Sequence, residues 1–144
     1  MSLIGLAIIA RDEEKSLPTL LASIEGAFDR VVLLDTGSED NTVGVFDDWC
    51  LKQRAGELGS AFSCEVGRFE WIDDFAAARN AADALLLGDG PEPLVEWTSW
   101  ADCDDIIRGA EQLRAIAQNA PPMVAGLVFG YDYAQHPATG MTVC

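Results

Sequence analysis

The sequence predicts an α/β fold: a mostly parallel sheet flanked by helices on both sides. Three observations predict it. Short apolar runs recur along the chain, polar loops rich in helix-capping residues follow several of them, and segments with helical spacing come next. Alternating strands and helices of this kind pair in parallel, through right-handed crossovers.

Leu3 to Ala10 is continuously apolar with three isoleucines, the mark of a strand covered on both faces. Ser16 then offers an N-cap, and Pro18 falls in the first helical turn, where its missing N–H does no harm. Leu20, Leu21, Ile24 and Phe28 recur at helical spacing, so this helix is expected to end between Gly26 and Asp29. Arg30 to Leu34 reads as a second strand, Asp35 to Asp40 as a capping loop, and Val43 to Arg54 as the next helix. Phe62 to Phe69 is expected as the third strand and the alanine-rich Phe75 to Leu87 as a helix. Leu94 to Trp100 follows as a fourth strand, leading into Asp102-Cys103-Asp104-Asp105. A helix over Gly109 to Asn119, a last strand over Met123 to Tyr131 and an irregular tail complete the expectation. Trp71, Trp97 and Trp100 lie in apolar, strand-like segments and read as core.

The chain has 144 residues, enough for one domain with a core that needs neither disulfides nor structural metal. Hydrophobic residues at 49% and charged residues at 23% are ordinary globular usage, which argues against disorder. Apolar stretches such as Leu3 to Ala10, and the Asp83-interrupted Ala81 to Leu87, fall far short of the roughly 20 residues a membrane helix needs. The N-terminal run leads directly into Arg11-Asp12-Glu13-Glu14 and does not resemble a cleavable leader. A net charge of −15 repels a phosphate backbone and argues against nucleic acid as a partner. Cys50, Cys64, Cys103 and Cys144 are scattered and His136 stands alone, so no zinc pattern forms and reduced, cytoplasmic thiols are expected. Gly37 belongs to no dinucleotide or Walker pattern.

In parallel sheets ligands bind beyond the carboxyl ends of the strands, and Asp12, Asp35 and Asp102 all follow predicted strands. Asp102 and Asp104, two apart at a strand end, suit a divalent cation shared with a nucleotide diphosphate; taken singly, the segment reads first as an acidic surface turn. Asp35 before Thr36-Gly37-Ser38 either organises its loop or accepts a nucleobase N–H. Arg79 either faces solvent from its helix or reaches a base or diphosphate, and Asp74 reads as an N-cap.

Four ordered segments carry a resemblance. They are Ile8 to Glu14, Val32 to Thr42, Trp71 to Asn80 with its Asp-Asp-Phe-Ala-Ala-Ala-Arg-Asn, and Asp102 to Asp105. Together they resemble family 2 glycosyltransferases over about residues 3 to 108. The resemblance implies a GT-A fold, Rossmann-related, cut off after the donor-binding half. It implies a nucleotide-diphosphate sugar donor, often UDP-linked, held with Mn²⁺ or Mg²⁺ for transfer to an unknown acceptor, whether saccharide, lipid or protein. By position, Asp35 matches the nucleobase contact, Arg79 the base or diphosphate contact, Asp102 the ribose or metal contact and Asp104 the metal ligand. Ala10, Arg11 and Glu13 border the nucleoside, and Cys103 lies within the same acidic segment. Asp12 stands where relatives often carry Asn.

Inverting transfer needs a general base, which relatives supply beyond the acidic segment. No acceptor-side motif follows here; Asp132 is a candidate that reads first as a strand-end loop residue, so no catalytic residue is assigned. Three further readings stand beside a transferase. One is a catalytically silent nucleotide-sugar module, one an assembly surface prone to self-association, and one a nucleotidyltransferase.

Overall fold

The structure is a computed structural model that describes residues 3–56, 59–127, 134–135 and 142–143. Four strands, β1 (Ile4–Ala10), β2 (Arg30–Asp35), β3 (Ser63–Arg68) and β4 (Trp97–Asp102), form one sheet in the order β3-β2-β1-β4. Every neighbouring pair in it is parallel. Helices α1 (Leu17–Ser23), α2 (Thr42–Ala55), α3 (Phe75–Leu87) and α4 (Leu113–Asn119) connect or follow the strands, with short 3₁₀ turns at Gly59–Ala61 and Ala110–Gln112. Ala134–Gln135 (β5) and Thr142–Val143 (β6) pair as a separate antiparallel ladder.

Strand alternation divides the core into two layers. Ile4, Leu6 and Ile8 of β1 and Val31 and Leu33 of β2 face α1 and α2, where they meet Leu17, Leu20, Leu21, Phe46 and Trp49. Ala7, Val32 and Leu34 point the other way, onto Ala78, Ala82 and Leu86 of α3. The second interface is close because its side chains are small. A Cβ added to Gly5 would come 2.8 Å from the Leu86 Cδ1 atom.

One buried cation secures the lower end of α3. The Arg30 side chain donates to the carbonyls of Leu86 at 3.1 Å and Leu85 at 3.0 Å, and pairs with Glu65 at 2.6 Å. Carbonyls in the last turn of a helix lack partners within the helix, so a guanidinium there satisfies them and suits the negative end of the helix dipole.

Several boundaries differ from the sequence expectation. Helix α1 stops at Ser23, because Gly26 takes a left-handed φ of 71°; Phe28 is buried from the turn that follows and not from the helix. Ser16 occupies the N-cap position but makes no cap bond, and its hydroxyl donates to the Glu13 carboxylate instead. Strand β4 begins at Trp97 and runs to Asp102, since the Leu94 N–H is taken by a turn onto the Leu87 carbonyl at 2.9 Å. The strand expected from Met123 is absent over residues 123–127, where Val124 closes a turn on Pro121 and Met123 is 90% exposed. The remainder of that segment, with Asp132, His136 and Cys144, lies outside the described residues. Trp100 is not core: it is 61% exposed on the edge strand, whereas Trp71 and Trp97 are half-buried against the two core layers.

The loops after β1 and β2 hold each other. Asp12, at a left-handed φ of 54°, accepts the Glu39 N–H at 2.7 Å, and its own N–H donates to the Ser38 hydroxyl at 3.0 Å. Asp40 accepts the Thr42 N–H at 2.9 Å and the Glu14 N–H at 3.1 Å, and so satisfies one free N–H at the start of α2, where Asn41 holds the N-cap position without a side-chain bond. Desolvation works against its ionisation, but these bonds and one from the Thr42 hydroxyl outweigh it and hold the carboxyl below its usual range.

Two outcomes follow from this packing. Leu86→Ala is expected to cost about 2–5 kcal/mol in urea unfolding, against about 0.5 kcal/mol or less for Leu51→Ala on the surface. Asp40→Ala is expected to lower Tm at neutral pH. A carboxylate depressed in the folded chain stabilises it fully above the unfolded pKa of about 3.9, and loses that contribution as pH falls through the lower folded value. The Tm deficit of the variant therefore shrinks in acid, which thermal melts followed by circular dichroism from about pH 7 to about pH 2.5 will read.

Candidate functional site

Parallel pairing sets Ala10 opposite Asp35 and Ile9 opposite Asp102, so the carboxyl ends of β1, β2 and β4 finish at one level. A cleft of about 380 Å³ opens there, lined by Ile9, Ala10, Arg11, Glu13, Thr36, Trp71, Phe75, Asp102, Cys103 and Asp104. That volume is in the range of small-ligand pockets.

Of the residues singled out in the sequence, Ala10, Arg11, Glu13, Asp102, Cys103 and Asp104 share this lining. Asp35 does not. It is 2% exposed, accepts the Ser38 N–H at 3.1 Å, and has Arg68 at 3.8 Å; it organises the loop beneath the rim. Thr36, the next residue, reaches the cleft in its place, with its hydroxyl 3.3 Å from the Ala10 carbonyl. Asp12 is likewise spent on the neighbouring loop, as an acceptor that needs no amide donor.

Arg79 stands behind the cleft and not in its lining. Its Nη2 lies 3.7 Å from the Asp102 carboxylate, and its guanidinium carbon sits 4.5 Å from the centre of the Trp100 ring. Such stacking over an aromatic face favours a cation. The Nη1 atom is buried and has no hydrogen-bond partner. The exposed Trp100 is thus tied to the site from outside, a link with no counterpart in the apolar pattern that made this residue read as core.

Trp71 and Phe75 form the aromatic wall, ring centres 5.5 Å apart and edge to face. Trp71 is positioned by its indole N–H, which donates to Asp73 at 3.0 Å, while Asp74 caps α3 by accepting the Ala77 N–H at 2.9 Å. Neither aromatic stood out as a site residue in the sequence. The signal that could have found them is their i, i+4 separation immediately before and within a capped helix start.

The acidic segment has two functions within the fold. The Asp105 carboxylate accepts the Asp102 N–H at 2.8 Å and closes the turn, leaving Asp102 and Asp104 exposed. Cys103 points inward, its thiol 3.5 Å from the Ile9 carbonyl. Burial, followed by the charges of Glu13, Asp102, Asp104 and Asp105, pushes that thiol up to about 12, so it remains protonated at neutral pH.

The expectation of a metal-binding motif is corrected in one respect. Among the described residues no three His, Cys, Asp or Glu side chains gather into a protein-built metal group. The donors present, two carboxylates, fit only a hard cation that takes its remaining ligands from water and phosphate.

No model of a known protein family matches the chain. A TPR repeat-containing protein of Synechococcus elongatus is 34% identical over 117 residues, which is 80% of this chain and 24% of that protein. The chain thus spans about a quarter of the relative's length. These findings overturn membership of the family 2 glycosyltransferases. The physical reason is that most of the matched polar residues serve the loops of a parallel sheet whatever its chemistry. Asp12 joins two loops, Asp40 accepts an N–H at the start of α2, Asp74 caps α3, and Asp105 closes a turn. The relative's name belongs to that protein; the described residues here alternate strand and helix, where a TPR unit is a pair of helices. What the comparison establishes for this chain is likeness to one section of a longer protein, without a family name.

Proposed function

We propose that the rim cleft binds the diphosphate of a nucleotide-linked sugar together with a divalent cation. The observation that carries this reading is the Arg79 Nη1 atom, buried and without a partner directly behind Asp102. An unsatisfied buried donor costs about 1–3 kcal/mol, which an anionic oxygen would recover. The two exposed carboxylates nearby call for the opposite charge. A diphosphate carrying a cation supplies both.

Asp102 and Asp104 are the residues that would hold Mg²⁺ or Mn²⁺, and the cation's contribution when bound is to offset the phosphate charge. Ala10, Arg11 and Glu13 border the side where a nucleoside would sit, with Asp35 bracing the loop below. The faces of Trp71 and Phe75 offer a stacking surface to a base or sugar ring. The finer fold reading, a GT-A-type sheet, belongs to the same proposal and is supported by the parallel order β3-β2-β1-β4. The unbridged thiols of Cys50, Cys64 and Cys103 support a reducing, cytoplasmic setting. The proposal is one of binding, and no residue is assigned as a base for transfer.

A second reading is an assembly module. Among the described residues β4 pairs with β1 alone, and Trp100 and Leu94 on and beside it are 61% and 49% exposed. The name of the relative, with its TPR repeats, favours a protein that works in contact with others.

Calorimetric titration of UDP with and without Mn²⁺ separates the two. Under the binding reading the intact chain takes UDP more tightly with metal, Asp104→Ala abolishes the metal dependence, and Arg79→Ala weakens binding about tenfold or more. No heat with the intact chain in either condition would sink the nucleotide reading. Self-association in light scattering, reduced by Trp100→Ala, would then support the assembly reading.

A further inference from the structure

A second cleft, of about 260 Å³, lies at the opposite edge of the sheet, between α2 and the edge strand β3. Asp47, Cys50, Leu51 and Arg54 line it from α2 at positions i, i+3, i+4 and i+7, one face of the helix. Cys64 lines it from β3. Strand alternation turns Cys64 and Val66 toward α2, where they pack on the core, and turns Glu65 away to its pair with Arg30.

Both thiols are unbridged, Cys50 is 3% exposed, and Cys64 is half-buried at the cleft. Cys50 and Cys64 share the lining of this cleft, one from α2 and the other from β3, and their thiols shift each other's ionisation in opposite directions. Arg54 stands against Cys64, with Nη2 3.4 Å from the Cys64 carbonyl oxygen. The neighbouring Cys50 thiol first, with Arg54 and Arg30 in support, holds Cys64 below the usual thiol range although burial and Asp47 act against it. The neighbouring Cys64 thiol, then burial, drives Cys50 the other way. A more acidic, accessible thiol beside a buried protonated one is the division of labour found in redox-sensing pairs.

We propose that Cys64 and Cys50 are a modification site for hydroperoxides, with Cys64 the attacking sulfur and Cys50 the resolving one. The Cys64 thiolate attacks one peroxide oxygen; the O–O bond breaks, and the departing hydroxide takes a proton to become water. Cys64 is then a sulfenic acid. The Cys50 sulfur attacks the Cys64 sulfur, the S–O bond breaks, and the leaving hydroxide takes the Cys50 proton as a second water. Two thiols and hydrogen peroxide thus give one disulfide and two waters; each sulfur loses one electron and each peroxide oxygen gains one. The bond would tie α2 to β3. At its carboxyl end that strand leads to Phe69, whose N–H donates to the Asp35 carbonyl at 2.9 Å beneath the ligand rim.

The test treats the intact chain with one equivalent of hydrogen peroxide, blocks remaining thiols, and maps peptides by mass spectrometry. Expected is a Cys50–Cys64 linked peptide with the loss of two hydrogens, reversed by dithiothreitol, and a higher Tm for the oxidised chain. Cys50→Ser is expected to leave Cys64 as a sulfenic acid that dimedone traps, and Cys64→Ser to slow oxidation of Cys50 at least tenfold. The proposal is overturned if the intact chain yields no such linked peptide, whether its thiols stay free, Cys64 passes to sulfinic acid, or the bond joins other cysteines. It is overturned equally if Cys50 oxidises as fast without Cys64 as with it.

Discussion

Coverage of β1 on both faces is the constraint from which the rest of the molecule follows. A strand that is apolar on every side chain cannot lie at an edge, so it takes β2 and β4 as parallel neighbours and one helical layer above and another below. Parallel pairing then sends the loops after three strands to the same end of the sheet. The rim cleft exists because of that topology, before any of its side chains is considered. The small residues Gly5 and Ala7 let α3 lie close, and Arg30 secures the end of that helix from below. Arg79 is carried on the same helix, so its position behind Asp102 depends on this packing.

The acidic character of the chain resolves into distinct tasks at the rim. Most carboxylates there accept backbone N–H groups at short range, a use that stabilises loops and needs no ligand. Asp102 and Asp104 differ in being exposed beside a cleft, one of them next to a guanidinium whose second nitrogen is unsatisfied. A buried guanidinium nitrogen without an acceptor, beside a carboxylate that already pairs with its other nitrogen, is what distinguishes this candidate site from an acidic surface turn.

The two edges of the sheet carry different chemistry. At β4 an exposed tryptophan stacks on Arg79 and belongs to the surroundings of the rim cleft. At β3 a thiol pair bridges strand and helix at some remove from it. Cytosolic disulfides are usually transient and redox-sensing, so a reversible bond at Cys50 and Cys64 is compatible with a reducing environment.

How much was legible in the sequence follows from which forces are local. Unbroken apolar runs such as Leu3 to Ala10 and Val31 to Leu34, and capping residues such as Asp74, act over a few positions; they determined the parallel α/β class, the helix starts and the gathering of strand-end carboxylates at one rim. The end of α1 at Ser23 and the start of β4 escaped notice because each depends on a turn whose partner lies across the chain or in its backbone angle. Four matching segments suggested a family because cap and turn residues recur wherever parallel strands meet helices, and the comparisons withdrew it. Only the tertiary structure decided that Asp35 is buried under its loop, that Trp100 is exposed over Arg79, that Trp71 and Phe75 wall the rim cleft, and that Cys50 and Cys64 line one cleft. Each of these is set by contacts between segments far apart in the chain, and pair distances of that kind are not written in the spacing of residues along any one of them.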